Sequence, residues 1–210
     1  LERYLALAGE MGFRVIITTN GTLLRSRQEV LLGASGLYKI NVSLHAFEAN
    51  DLSVPFECYL QDCLAFGQAA QGKKIVVYRL WNSGGADQRN EEILCTLHQA
   101  FPGPWTPGRR GTAIGDRIFL EPGDKFDWPD LTAPETPGPY FCYGLRDQLG
   151  VLWDGTVVPC CLDHDGDIAL GNLFREDLGD ILASPRAKAI FDGFSNNQAA
   201  ESLCCRCGYA

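Results

Sequence analysis

The sequence has no surplus of positive charge. Its 18 Lys and Arg stand against 26 Asp and Glu, a formal net charge of −8 over 210 residues. That balance argues against a general nucleic-acid clamp, which needs a basic patch. No apolar run approaches the roughly 20 residues that a membrane-spanning helix requires. The start lacks the basic, apolar and small-residue succession of a secretory signal. There is no internal repeat and no low-complexity tract. Methionine is nearly missing: Met11 is the single one, and the first residue is Leu1. The given N-terminus is therefore expected not to be a native start. What is present is an ordinary globular composition, 46% hydrophobic and 21% charged. It suits one large or two small domains.

Cysteine is unusually abundant, at nine residues. In a secreted chain an odd number leaves a thiol unpaired. Without a signal, a reducing, cytoplasmic setting is expected, where clustered Cys read as metal ligands.

Along the chain, residues 2–11 predict a helix that stops near Gly12. Val15 to Ile17 predict a buried strand closed by the Asn20-Gly21 turn. Further strands are expected at Lys39 to Leu44, Ile75 to Tyr78 and Arg117 to Leu120. Helices are expected at 26–34, 56–71 (with Gly72 as cap) and 88–100. Strands alternating with helices imply crossovers and a parallel α/β sheet. Ligands of such sheets sit at the C-terminal strand ends. This directs attention to Thr19 to Gly21, Ser43 to His45 and Arg79 to Asn82. Pro122, Pro129, Pro134, Pro137 and Pro139 predict a semi-rigid linker over 122–139. Beyond it, apolar runs on either side of Asp154-Gly155 predict a hairpin. Asp177 to Phe194 reads as one amphipathic helix, with Leu178, Ile181, Leu182, Ala189 and Ile190 inward and Pro185 kinking or splitting it. From residue 139 on there are five basic and ten acidic side chains.

Six Cys lie in that last part: Cys142, Cys160, Cys161, Cys204, Cys205 and Cys207. The hairpin brings Cys142 and Cys160 near each other, and Cys204-x2-Cys207 turns two thiols toward one centre. Two such halves make a four-thiolate site, suited to zinc or to an iron–sulfur cluster; spacing alone does not separate them. Neighbouring residues of extended chain face opposite ways, so one of Cys160 and Cys161, and one of Cys204 and Cys205, should ligate. The four-residue gap from Gly155 favours Cys160. Cys58, Cys63 and Cys95 read as buried apolar thiols of helices.

These residues carry a resemblance. Cys142-x12-Gly155-x4-Cys160, the run Trp153 to Cys161, Leu170-Gly171-Asn172 and Cys204-x2-Cys207 resemble the SPASM or twitch domain of radical SAM enzymes. Upstream, Thr18 to Leu24, Asn41 to Leu44 and Tyr78 to Asn82 resemble the third, fourth and fifth strand motifs of the radical SAM barrel. Phe126-x-Trp128-Pro129 is similar to the entry into the auxiliary domain. The resemblance implies part of a (β/α)6 barrel over 1–121, the linker 122–139 and a small α+β auxiliary-cluster domain over 140–210. It implies an auxiliary [4Fe–4S] cluster on Cys142, Cys160, Cys204 and Cys207. It also implies S-adenosylmethionine near Ser43, with Asn20 and Arg79 as partners. Each of these three also fits a plain structural role: Asn20 as turn former, Ser43 as strand cap, Arg79 as partner of a carboxylate. His45 reads as a surface or supporting residue.

The family's radical chemistry requires a second [4Fe–4S] cluster held by C-x3-C-x2-C, and no such spacing occurs in these residues. The expectation is therefore a fragment that is not catalytic as given. The enzyme it belongs to would modify a peptide, protein or small-molecule substrate with the help of an electron donor, without nucleic acid or membrane. The competing expectation is a non-catalytic binding protein with a structural four-Cys zinc or iron–sulfur site.

Overall fold

The computed structural model describes residues 1–49, 54–85, 88–109, 111–125 and 127–209. Phe126, quoted above, lies outside them. The chain divides into two units, Leu1–Lys125 and Phe126–Ala210.

In the first unit, helix α1 (Glu2–Glu10) ends at Gly12, which takes a φ of +78° that favours glycine. Strand β1 (Val15–Thr19), helix α2 (Leu24–Gly33) and strand β2 (Leu37–Ser43) follow. Next come a 3₁₀ segment (Leu44–Ala49), helix α3 (Phe56–Ala70), strand β3 (Ile75–Ser83) and helix α4 (Asn90–Ala100). Strands β4 (Thr106–Gly108), β5 (Gly111–Gly115) and β6 (Ile118–Asp124) complete the unit. The six strands form one sheet in the order β1-β2-β3-β6-β5-β4. β1, β2, β3 and β6 pair in parallel; β5 and β4 pair antiparallel to their neighbours. The fold is thus α/β as expected, with a mixed sheet in place of a purely parallel one. The short β4–β5 hairpin escapes the sequence because Thr106-Pro107-Gly108 reads as loop.

Alternation along the strands sorts the two faces of the sheet. Ile40 and Val42, Val76, Tyr78 and Leu80, and Ile118 and Leu120 join Leu5, Leu31, Leu60, Leu64, Phe66, Ile93 and Leu97 of the helices in one buried cluster. Asn41, Ser43, Arg79 and Glu121 therefore point to the opposite face. Helix α3 meets the sheet closely at Gly67. A Cβ there would lie 1.9 Å from the Tyr78 hydroxyl, which donates to the Cys63 carbonyl at 2.9 Å. Cys63 is fully buried, but Cys58 and Cys95 are exposed. The expectation of three buried thiols fails for those two, because they fall on the outer arcs of α3 and α4. Pro122, assigned by sequence to the linker, lies inside β6. It pairs there with Leu80 of β3, and the β5 register reaches no further than Leu120. On that side its missing N–H costs no bond.

The second unit holds a three-stranded antiparallel sheet of β7 (Gly150–Val151), β8 (Thr156–Val158) and β9 (Gly171–Asn172). Two helices follow, α5 (Leu178–Ala183) and α6 (Pro185–Ser195), then a 3₁₀ turn over Cys204–Arg206. The hairpin around Asp154-Gly155 is present, but the third strand was not legible in two residues. The helix expected over 177–194 is split. Ser184 is extended and its Oγ accepts from the Ala187 amide at 3.2 Å, with Pro185 at the first helical position. The break resets the helical phase for the residues after Ser184. Leu178, Leu182 and Ala189, expected inward, are exposed, while Ile181, Ala187, Ile190 and Phe194 are buried. Ile168, Ile190, Phe194 and Leu203 form the core, with Tyr140, Cys142, Leu145, Leu170, Ala199 and Cys204 against it. Thr136, also placed in the expected linker, donates its amide and hydroxyl to the Cys205 carbonyl at 2.8 and 3.0 Å.

Two outcomes follow from the α3–β3 contact. Gly67→Ala lowers stability by about 1–3 kcal/mol through overpacking, read as a lower urea midpoint at unchanged m-value. Burial pushes the Cys63 thiol up from 9.0 to about 12 and also raises the Tyr59 and Tyr78 hydroxyls. The native state then keeps protons that the unfolded chain loses, so stability declines as pH rises above about 9. Urea midpoints measured between pH 7 and pH 11 should show this decline. Cys63→Ala should weaken the decline that sets in near pH 9, to which the raised thiols of Cys160 and Cys204 also contribute, and leave the tyrosine part at higher pH.

Candidate functional site

The chemistry-bearing side chains form two groups, one in each unit. In the second unit four thiols gather. Cys142 precedes the hairpin, and its sulfur accepts the Gly144 amide at 3.3 Å. Cys160 follows β8; burial raises its pKa most, while the Leu162 and Asp163 amides pull it down and Cys142 and Cys161 push it up. Cys204 opens the 3₁₀ turn. Burial first, then the thiols of Cys160, Cys142 and Cys207, push it up to about 12. Cys207 is 8% exposed, and its sulfur accepts the Tyr209 amide at 3.4 Å.

Each of the four expected thiols thus lies within electrostatic reach of another, and Cys204 feels all three others. Three of the four sulfurs also receive backbone N–H groups, the kind of bond that favours a thiolate over a thiol. Cys161 is exposed. Cys205 is held through its backbone carbonyl by Thr136, and its thiol is absent from the interactions that raise Cys204. Among the described residues, no three His, Cys, Asp or Glu side chains stand close enough together to hold a single metal ion.

Local chemistry explains how the chain presents these sulfurs. Asp154 Oδ1 accepts the Thr156 amide at 3.1 Å, and Gly155 takes a φ of +86°, so the hairpin reverses tightly. Asp163 is 98% buried with both carboxylate oxygens used, one by the Asp167 amide and one by the Ile168 amide, each at 2.9 Å. This closes the loop after Cys160 on itself and explains why the acidic run Asp163 to Asp167 acts as a loop former. The sequence reading did not single out Asp163.

The second group lies on the face of the first unit's sheet away from its helices. Ser43, the last residue of β2, is in register with Arg79 and Glu121 at the middle of β3 and β6. Arg79 Nε is 3.4 Å from Glu121 Oε2, and its guanidinium lies 4.1 Å from the centre of the Trp81 ring. Both charged side chains are partly exposed, so the pair contributes little to stability and mainly sets where the guanidinium sits. Asn20 does not join this row by its side chain. Its Oδ1 accepts the Thr22 amide at 3.2 Å and the Thr22 hydroxyl at 2.9 Å, and its carbonyl accepts the Tyr59 hydroxyl at 2.6 Å. It acts as the turn former. His45 faces the β3 backbone, with Nδ1 3.2 Å from the Trp81 amide and 3.0 Å from the Arg79 carbonyl. Glu121 was not foreseen, and Trp81 lay inside the stretch Arg79 to Asn82 without a role assigned to it. The available signal for Glu121 was a lone carboxylate ending the apolar run Ile118 to Leu120.

Residues 142–208 match the family model of SPASM, an iron–sulfur cluster-binding domain. The match lies within the second unit and supports iron–sulfur cluster binding there. Comparisons with curated proteins and with solved structures give no match. No helix among the described residues is long and apolar enough to cross a membrane.

Gly155 offers a check on this frame. A Cβ there would come within 2.8 Å of the Phe174 ring and 3.1 Å of Asn172 Oδ1. The ring is exposed and can move, but the backbone conformation cannot be relieved. Gly155→Ala should cost about 1–2 kcal/mol, seen as a lower melting temperature of the C-terminal unit.

Proposed function

We propose that the second unit holds an auxiliary [4Fe–4S] cluster on Cys142, Cys160, Cys204 and Cys207, and that the chain is part of a radical SAM enzyme. Its substrate class is a peptide, a protein or a small molecule. The observation that carries the reading is the match of residues 142–208, which contain all four thiols, to an iron–sulfur cluster-binding domain; the other three thiols also help to raise the Cys204 pKa. Crowded, half-buried thiols hold their protons unless positive charge sits among them. An all-sulfur donor set with N–H groups aimed at the sulfurs suits iron–sulfur ligation. When bound, the cluster supplies one-electron transfer or an anchoring site for substrate.

The protein's own part is to hold and shield. The core residues Ile168, Phe194 and Leu203 keep water from one side of the site, and the Gly144 and Tyr209 amides orient two of the sulfurs. In the first unit, Ser43 and Arg79 are proposed to contact S-adenosylmethionine. The hydroxyl is a donor or acceptor for a sugar, and the guanidinium is a partner for a carboxylate. Asn20 would help by fixing the turn beside them. Radical generation requires a further cluster on C-x3-C-x2-C, and these residues do not contain that motif. Their share of the reaction is therefore binding and electron passage, with an external electron donor.

The test is metal and sulfide analysis of protein purified without oxygen. About four iron and four sulfide per chain are expected. Cys142→Ala and Cys207→Ala should each lower iron content by half or more. Unchanged iron in both variants would overturn the ligand set. About one zinc and no sulfide would overturn the cluster and favour a structural four-thiolate site.

A further inference from the structure

Arg206 sits inside the Cys204-x2-Cys207 loop and is bound at two of its three nitrogens. Nη1 donates to the Ser202 carbonyl at 2.8 Å and to Ser202 Oγ at 2.6 Å, and Nη2 pairs with Glu135 Oε1 at 3.2 Å. The third, Nε, is shut off from solvent and makes no hydrogen bond. Among the described residues it is the one buried side-chain donor in that state, beside a single buried acceptor, Asn41 Oδ1, in the other unit. A donor on a permanent cation is an expensive group to bury unpaired. Ser202 and Glu135 grip the planar fork from the other side, so the side chain is held where Nε has no protein acceptor. The Cys205 carbonyl in the same loop already accepts twice from Thr136.

The acceptors that this loop acquires when the domain is loaded are sulfurs. We propose that Arg206 Nε donates a hydrogen bond to a sulfur of the bound iron–sulfur cluster, and that this bond raises the cluster's reduction potential. The proposal rests on the cluster reading above. A hydrogen bond from a cation to sulfur favours the reduced form, which carries one more negative charge. The Glu135 and Ser202 contacts hold the guanidinium in register for that bond.

The test uses the whole chain, loaded without oxygen. Wild type and Arg206→Gln are compared by redox titration followed by electron paramagnetic resonance. Proton electron–nuclear double resonance of the reduced cluster is recorded before and after exchange into D₂O. The expected result is unchanged iron and sulfide, a more negative potential in the variant, and loss of one strongly coupled exchangeable proton. Arg206→Lys, which keeps the charge and lacks the Nε–H, should lose the same proton. Should neither variant load, wild type grown with ¹⁵N-labelled arginine carries the test: a ¹⁵N coupling to the reduced cluster supports the bond, and its absence overturns it. Equal potentials and equal proton couplings in loaded wild type and variant would overturn the proposal alone. A wild-type chain without iron would overturn the cluster reading and this bond with it.

Discussion

Bringing four thiols together in a unit with a small core is the constraint on which the C-terminal half depends. Its core cluster consists of four buried side chains, Ile168, Ile190, Phe194 and Leu203, with half-buried residues around them. A core of this size supplies little stability by burial alone. The sulfurs make matters harder, because each thiolate would repel the next in a region of low dielectric. The proposed cluster would reverse the sign of that interaction and tie together segments far apart in the chain. The secondary structure is correspondingly slight. Strands of two or three residues and two short helices suffice if their task is the proposed one of delivering sulfurs to one cluster.

The N-terminal half is organised by a different rule. Four parallel strands point their C-terminal ends the same way, and helices α1 to α4 contribute to the cluster on one face of the sheet. Strand polarity and the two-residue alternation therefore decide which polar side chains share a row. Ser43, Arg79 and Glu121 meet because their registers match, not because they are close in sequence. Trp81, two residues beyond Arg79 on the same face, lies under the guanidinium and limits its freedom.

Much of this was legible in the sequence wherever one residue type had a single physical use. Gly12, Gly72 and Gly155 all adopt positive φ where turns or caps were expected. Pro185 divides the helical run because it has no N–H to donate to a carbonyl of the preceding turn. The Cys spacing pointed to one centre, and the four thiols it selected all fall within the matched iron–sulfur cluster-binding segment. What stayed hidden depends on pairing across the chain. The hairpin β4–β5 and the strand β9 are too short to show a period. Glu121 gains meaning only from its register with Arg79. Cys58 and Cys95 were misread because helix phase, and not residue type, decides which thiols face the core. Leu178 and Leu182 were misplaced by the same cause, and Ala189 by the break at Ser184, which rotates the residues after it.

The bond between Thr136 and Cys205 joins residues near the opposite ends of the second unit. Tyr140 repeats the pattern, its amide donating to the Asn197 carbonyl at 3.1 Å. Entry and exit of the chain therefore lie side by side. A unit closed in this way has the architecture of a portable module. It can be grafted into a loop of an unrelated protein, or have its order circularly permuted, without spanning a long gap between its ends.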